Sequence, residues 1–205
     1  MLTPKVEFRY SWPYDSRWKD VYDSLPSAKK TPEYPTRKRT ARFIDGIEDA
    51  WRPVERNVLT EMSRVARLSW KERSIRCYVV GWVRPFSDPL TLGVYKHANR
   101  AVDVLTHELI HQLFSQPGNR ERAGKAWSYI QRKYRTESRL TRTHIPLHAI
   151  HKQLYLTCFN EARLRADQEF AQRAHDYQRS WAIVESEGYQ NILKDFTSRI
   201  EQKSD

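Results

Sequence analysis

Between Ala101 and Phe114 the chain carries only two charged side chains, Asp103 and Glu108. Val102, Val104, Leu105, Leu109, Ile110, Leu113 and Phe114 fill the rest of that stretch and would fall on every side of a helix. A helix that is apolar all round must be covered all round, so the fold has to be built over this segment. Set into it are His107, Glu108 and His111. Polar groups buried without partners cost roughly 2–7 kcal/mol. Three of them on one covered helix need a compensating reason.

The flanking sequence supplies material for the cover. Phe43, Ile44, Ile47, Trp51, Val54, Val58, Met62 and Val65 recur at three- and four-residue steps, which predicts a long helix over 40–70. Pro53 falls inside it and predicts a kink or two helices. Residues 75–83 are rich in β-branched and aromatic side chains and form the best strand candidate, with a second strand over 90–95. The turn residues between them (Pro85, Asp88, Pro89) suggest a hairpin at a sheet edge. Residues 6–12 alternate as a further strand. Four prolines make 13–37 an irregular basic loop. Beyond it, helices are expected over 99–115, 119–136, 145–173, 176–187 and 189–202. Breaks are expected at Pro117-Gly118, around Thr143 to Pro146, and at Gly188. Together these predict one α+β domain over 1–205: a small sheet with an edge hairpin packed on the 101–114 helix, and a mainly helical C-terminal half.

Bulk properties remove several function classes. The hydrophobic share of 39 % is too high for a disordered chain. No apolar run approaches the roughly 20 residues that span a bilayer, and residues 1–7 lack the pattern of a signal peptide. Two cysteines, Cys77 and Cys158, give no disulfide framework. The expectation is a cytoplasmic protein with both thiols buried and no membrane partner. The net charge is +11, densest at Lys29-Lys30, Arg37-Lys38-Arg39 and Arg132-Lys133 with Arg135. A solvated basic surface explains it, and nucleic-acid binding is the competing reading.

His107 and His111 are four residues apart, so on a helix both imidazoles can reach one ion at the short bond length of Zn²⁺. Glu108 projects toward the same pocket, where it can take a proton from a metal-activated water and pass it to a leaving group. The run His107-Glu108-Leu109-Ile110-His111, preceded by strands, resembles the zincin metallopeptidases. That resemblance implies that His107 and His111 are zinc ligands and that Glu108 is the general base. It further implies that the strand before the helix lines the substrate cleft and pairs with an extended peptide. The metzincin continuation is absent, since Gln112 to Gly118 reads Gln-Leu-Phe-Ser-Gln-Pro-Gly. The close-spaced glutamate of thermolysin-like enzymes is missing as well.

A catalytic zinc needs a third protein ligand. Three of the seven histidines lie in His144-Ile-Pro-Leu-His148-Ala-Ile-His151. With Pro146 read as the first turn of a helix, His148 sits inside it beside the small Ala149 and is the favoured ligand. His144, at the helix start, is then the residue to hold a transition-state oxyanion, a role that histidine or tyrosine takes in zincins. His151, Glu161 and His144 itself remain open as ligands. Asp103 and Asp167 are candidates to orient a liganding imidazole. The Arg-rich stretch from Arg120 to Arg142 is a solvated face or a guard favouring acidic substrates. The sequence therefore predicts a zinc-dependent metallopeptidase acting on a peptide or protein. The alternatives are a basic nucleic-acid-associated protein with a structural or inactive metal site, a peptidase recruited to nucleic acid, and a silent zincin that binds peptides by strand addition.

Overall fold

The computed structural model describes residues 2–26 and 33–200. Lys29, Lys30 and Pro32 of the expected loop, and the last two residues of the expected 189–202 helix, lie outside the described residues. Among the described residues the protein is α+β, with a four-stranded mixed sheet and a larger share of helix. No helix among them is long and apolar enough to cross a membrane. The chain divides into two compact units, residues 3–56 with 72–112, and residues 57–71 with 113 onward.

The first unit holds the sheet. Its strands are β1 (Lys5–Arg9), β2 (Ser74–Val80), β3 (Phe86–Ser87) and β4 (Leu90–Gly93), in the order β1-β2-β4-β3. β1 lies parallel to β2, with Val6 opposite Ile75 and Phe8 opposite Cys77; these four side chains are buried. β4 also lies parallel to β2, with Tyr78 opposite Thr91. The expected hairpin between β2 and β4 is therefore corrected: the hairpin is the short one between β3 and β4. The Pro85–Pro89 stretch reverses the chain twice rather than once, so β4 re-enters beside β2 in the same direction.

Helix α1 (Trp12–Ser24) replaces the first part of the expected 13–37 loop. Pro13 falls in its first turn, where no intrahelical N–H is needed. Tyr14, Trp18 and Tyr22 stand one turn apart and meet Tyr78, Phe86 and Trp82 at 5.3, 5.7 and 5.6 Å between ring centroids. The Asp15 carboxylate, nearly buried, accepts from the Gly81 N–H (2.7 Å), the Tyr34 hydroxyl (2.6 Å) and the Tyr10 hydroxyl (2.9 Å). A side chain at Gly81 would begin 2.4 Å from the Tyr34 ring, which restricts that position to glycine. Helix α2 (Arg37–Ala66) runs as one element with Pro53 inside it, not as two helices. Its Glu55 accepts from the Val6 N–H at 2.7 Å and the Trp51 indole at 3.0 Å, tying α2 to β1. Helix α3 (Ala98–Ser115) is the covered segment found in the sequence.

The second unit is helical. After α2, where Arg67 adopts a left-handed conformation (φ 52°), the Trp70 indole donates to the Leu59 carbonyl at 3.0 Å. Then follow α4 (Asn119–Arg122), α5 (Gly124–Lys133), α6 (Arg139–Cys158), α7 (Glu161–Ala171), α8 (His175–Glu187) and α9 (Tyr189–Thr197). The expected 119–136 helix is thus two, and the expected 145–173 helix divides where Asn160 caps α7 by accepting from the Arg163 N–H at 3.0 Å. The break expected at Thr143–Pro146 is absent. Helix α6 begins six residues earlier, where the Ser138 hydroxyl accepts from the Thr141 N–H at 3.0 Å, and Pro146 lies in its interior. α6 packs against α5, α7, α8 and α9 and forms the core of this unit. Phe114, Trp127 and Phe196 meet edge to face nearby, so Trp127 is a packing residue. Cys77 is buried, whereas Cys158 is partly exposed, which corrects the expectation for the second thiol.

Candidate metal centre

On α3, four-residue spacing sets the rings of His107 and His111 at 5.2 Å and 66° to one another. Both are partly exposed, while Glu108 between them is 7 % exposed. Burial pushes the Glu108 carboxyl up to about 7, because its charged form is poorly solvated there. The same negative charge adds to the burial that raises the Cys77 thiol, and it acts on the Tyr95 hydroxyl too. Glu108 thus belongs to the side of α3 that carries Cys77 of β2 and Tyr95 of the loop before α3. One turn later, the Gln112 amide donates to the Ser87 carbonyl of β3.

On α6, His144, His148 and His151 are all buried. The His144 Nδ1–H donates to the Leu140 carbonyl at 2.8 Å, one turn back, which leaves the lone pair on Nε2. Burial holds the His144 imidazole below its ordinary value, against the Leu140 carbonyl and the Asp176 charge, and so keeps it neutral. Tyr177 of α8 meets its ring edge-on at 4.5 Å. His148 is held differently. Ser180 of α8 donates its hydroxyl proton to the Tyr177 carbonyl at 3.0 Å and accepts from the His148 Nδ1–H at 2.8 Å. The Trp181 indole lies flat on the His148 ring, 4.4 Å between centroids and 9° between planes. His151 stacks on Tyr155 at 4.5 Å, and its Nδ1 stands 3.9 Å from an Asp167 carboxylate oxygen.

One nitrogen each of His107, His111 and His144 falls within 4.8 Å of the others, and a metal ion could be held there. His148, favoured from the sequence, is not in that group, nor are His151 and Glu161. Among the described residues no other group of this kind occurs. The preference for His148 rested on a helix beginning near 144. With α6 beginning at Arg139, His144 sits in a formed turn and not at a frayed end. Glu161 is exposed and pairs with Arg165 at 3.4 Å. Asp103 is buried on α3, and Asp167 stands beside His151.

The strand before the motif helix, β4, is paired on both edges, so a peptide added to the sheet would have to meet one of the edge strands, β1 or β3. Trp181 lies in the helical stripe Tyr177-Trp181-Val184 that the sequence reads as core packing, and it is buried. Sequence reasoning overlooked Ser180, a serine inside that otherwise apolar stripe. The basic cluster Arg37-Lys38-Arg39 is exposed at the start of α2, as are Arg132 in the last turn of α5 and Arg135 just beyond that helix. Comparison of the chain with protein-family models, curated proteins and solved structures returned no match.

Proposed function

We propose that the protein is a metal-dependent hydrolase of zincin type, a zinc peptidase, in which His107, His111 and His144 hold the ion and Glu108 carries the proton. The observation that supports it best is the convergence of three imidazole nitrogens within 4.8 Å beside a glutamate whose burial raises its carboxyl to about 7. Three neutral imidazoles are a donor set suited to Zn²⁺, with bond lengths of roughly 2.0–2.1 Å. The Leu140 carbonyl fits His144 for this task by holding the proton on Nδ1 and presenting Nε2. When bound, the ion supplies Lewis acidity for the hydrolysis of an amide.

Glu108 is placed by its helix next to His107, one position along. As a carboxylate it accepts a proton at one oxygen and, once protonated, donates it to the leaving amine. The surrounding apolar side chains of α3 keep water from competing for that proton. The α+β arrangement, with a small sheet preceding the motif helix, agrees with the zincin reading. The basic surface supports the second reading, recruitment of the hydrolase to an anionic partner.

The test is Glu108→Gln assayed on an unfolded protein substrate, with bound metal measured on the same sample. The expected result is unchanged metal content and activity lowered by about 10²–10⁴. Full activity in the variant, or wild-type protein that never turns substrate over at any metal load, overturns the reading.

A further inference from the structure

Around the corner between α5 and α6 the chain reads Arg132-Lys133-Tyr134-Arg135-Thr136-Glu137-Ser138-Arg139-Leu140-Thr141-Arg142. Five cations face one acid, and the compensation is incomplete. Lys133 is taken by Glu187 (2.8 Å) and Asp195 (3.3 Å). Glu137, the one carboxylate of the stretch, is taken by Arg179 at 2.6 Å. Asp176, in the first turn of α8, is held by the hydroxyls of Ser138 and Thr141 at the start of α6. No side-chain ion pair or hydrogen bond forms at Arg132, Arg135, Arg139 or Arg142 among the described residues. Arg139 and Arg142, three apart, share a face of α6, whose first turn carries no acidic residue.

Arg142 is the least exposed of the four arginines. Its Nε is buried and meets no acceptor among the described residues. A guanidinium N–H withdrawn from water without an acceptor is costly, and a carboxylate arriving there recovers that cost through a charge-assisted bond. Between the two arginines, Leu140 leaves 46 % of its surface exposed. Tyr134, the one aromatic residue of the corner, is buried, so no ring is offered for a nucleobase to stack on. Guanidinium groups around an apolar side chain, without a stacking platform, fit a peptide better than a nucleic acid.

We propose that the α5–α6 corner, formed by Arg132, Arg135, Arg139 and Arg142 around Leu140, binds an acidic peptide segment that also carries an aliphatic side chain. Arg142 is two residues before His144 on the same helix. On the hydrolase reading above, which also uses His144 of this helix, the acidic segment is assigned to the substrate; the binding itself does not rest on that reading. In this account the corner selects substrates with Asp or Glu flanking the cleaved bond.

The experiment is fluorescence anisotropy of a labelled Glu/Asp/Leu peptide and of its Gln/Asn/Leu counterpart. Full-length protein is used as wild type, as the triple variant Arg135→Gln/Arg139→Gln/Arg142→Gln, and as Arg39→Gln/Arg42→Gln as a charge-loss control on α2. Glu108→Gln is carried in every protein to prevent turnover. The expected result is binding of the acidic peptide alone, weakened roughly tenfold or more by the triple variant, little changed by the control, and falling with added salt. Equal binding of both peptides, equal loss in the control, or tighter binding of a DNA duplex that the triple variant abolishes would each overturn the proposal. A circular dichroism melt checks that the triple variant is folded. If it is not, the single substitution Leu140→Asp serves instead, with repulsion of the acidic peptide as the expected effect. Because the readout is equilibrium binding, failure here leaves the hydrolase reading intact, and failure of turnover leaves this one intact.

Discussion

Helices α3 and α6 each carry a histidine pair four residues apart, His107/His111 and His144/His148, with ring separations of 5.2 and 5.5 Å. The spacing is the same and the surroundings are not. On α3 both rings are partly exposed, and a buried glutamate follows the first. On α6 both rings are buried, and each Nδ1–H already has an acceptor: a carbonyl of the same helix for His144, a serine of α8 for His148. A stacked indole covers His148 as well. Helical spacing brings two imidazoles to one side of a helix; which of them can serve an ion is decided by what holds the other nitrogen and covers the ring. His144 is in the group of imidazoles that could hold an ion and His148 is not; the stacked indole makes His148 part of the packing of α6 on α8.

The contrast can be broken most strongly at Trp181. It is 4 % exposed and lies flat on His148. Trp181→Ala is expected to cost about 3–5 kcal/mol in urea-induced unfolding, the range for removing a large aromatic from a core. A loss below about 1 kcal/mol would mean that His148 is not a packing residue. Ser180→Ala is the smaller change. It leaves the buried His148 Nδ1–H without its acceptor, with an expected cost of about 1–3 kcal/mol. Ser180→Thr, which keeps the hydroxyl, should recover part of that loss, and equal destabilisation by both would argue against the hydrogen bond.

The smallest effect concerns the start of α6. Asp176 accepts from Ser138 and Thr141, and its carboxyl lies below the ordinary value of 3.8 for that reason, chiefly through the Ser138 hydroxyl. A carboxyl depressed by folding stabilises the native state above its unfolded value, and that contribution disappears as pH falls through the folded value. Thermal unfolding followed from neutral pH down through the ordinary aspartate range should therefore show an acid-side decline that Asp176→Asn makes shallower. Curves of equal steepness for the two proteins would remove Asp176 from the account.

The sequence and the structure agree where periodicity is long and continuous. The stripe from Ile47 to Met62 became α2, and the covered segment 101–114 became α3, within a few residues. They part where one residue type was given a single meaning. Prolines at 13, 26, 32 and 35 suggested a loop, yet Pro13 occupies a first helical turn, and the aromatic stripe of Tyr14, Trp18 and Tyr22 was the stronger signal. Pro146 was read as a helix start, although Ser138 with Thr141 three residues later is the actual cap. That misreading set His144 at a frayed helix start and so favoured His148 as the candidate third ligand. The parallel placement of β4 beside β2 was not legible at all, because strand order depends on pairing energies between distant residues and not on local turn chemistry. For the proposed site, His107, Glu108 and His111 are candidates from spacing and burial alone, whereas weighing His144 against His148 required the partners on α8.

In the proposed site His144, and not His148, completes the set of metal ligands. Metal bound per chain, measured by mass spectrometry after exhaustive dialysis of wild type, His144→Ala and His148→Ala, tests it most directly. The expected result is about one ion per chain in wild type and in His148→Ala, and a loss of at least tenfold in His144→Ala. Retention of the ion by His144→Ala with its loss from His148→Ala, or wild-type protein that holds no metal after loading with zinc, would contradict it.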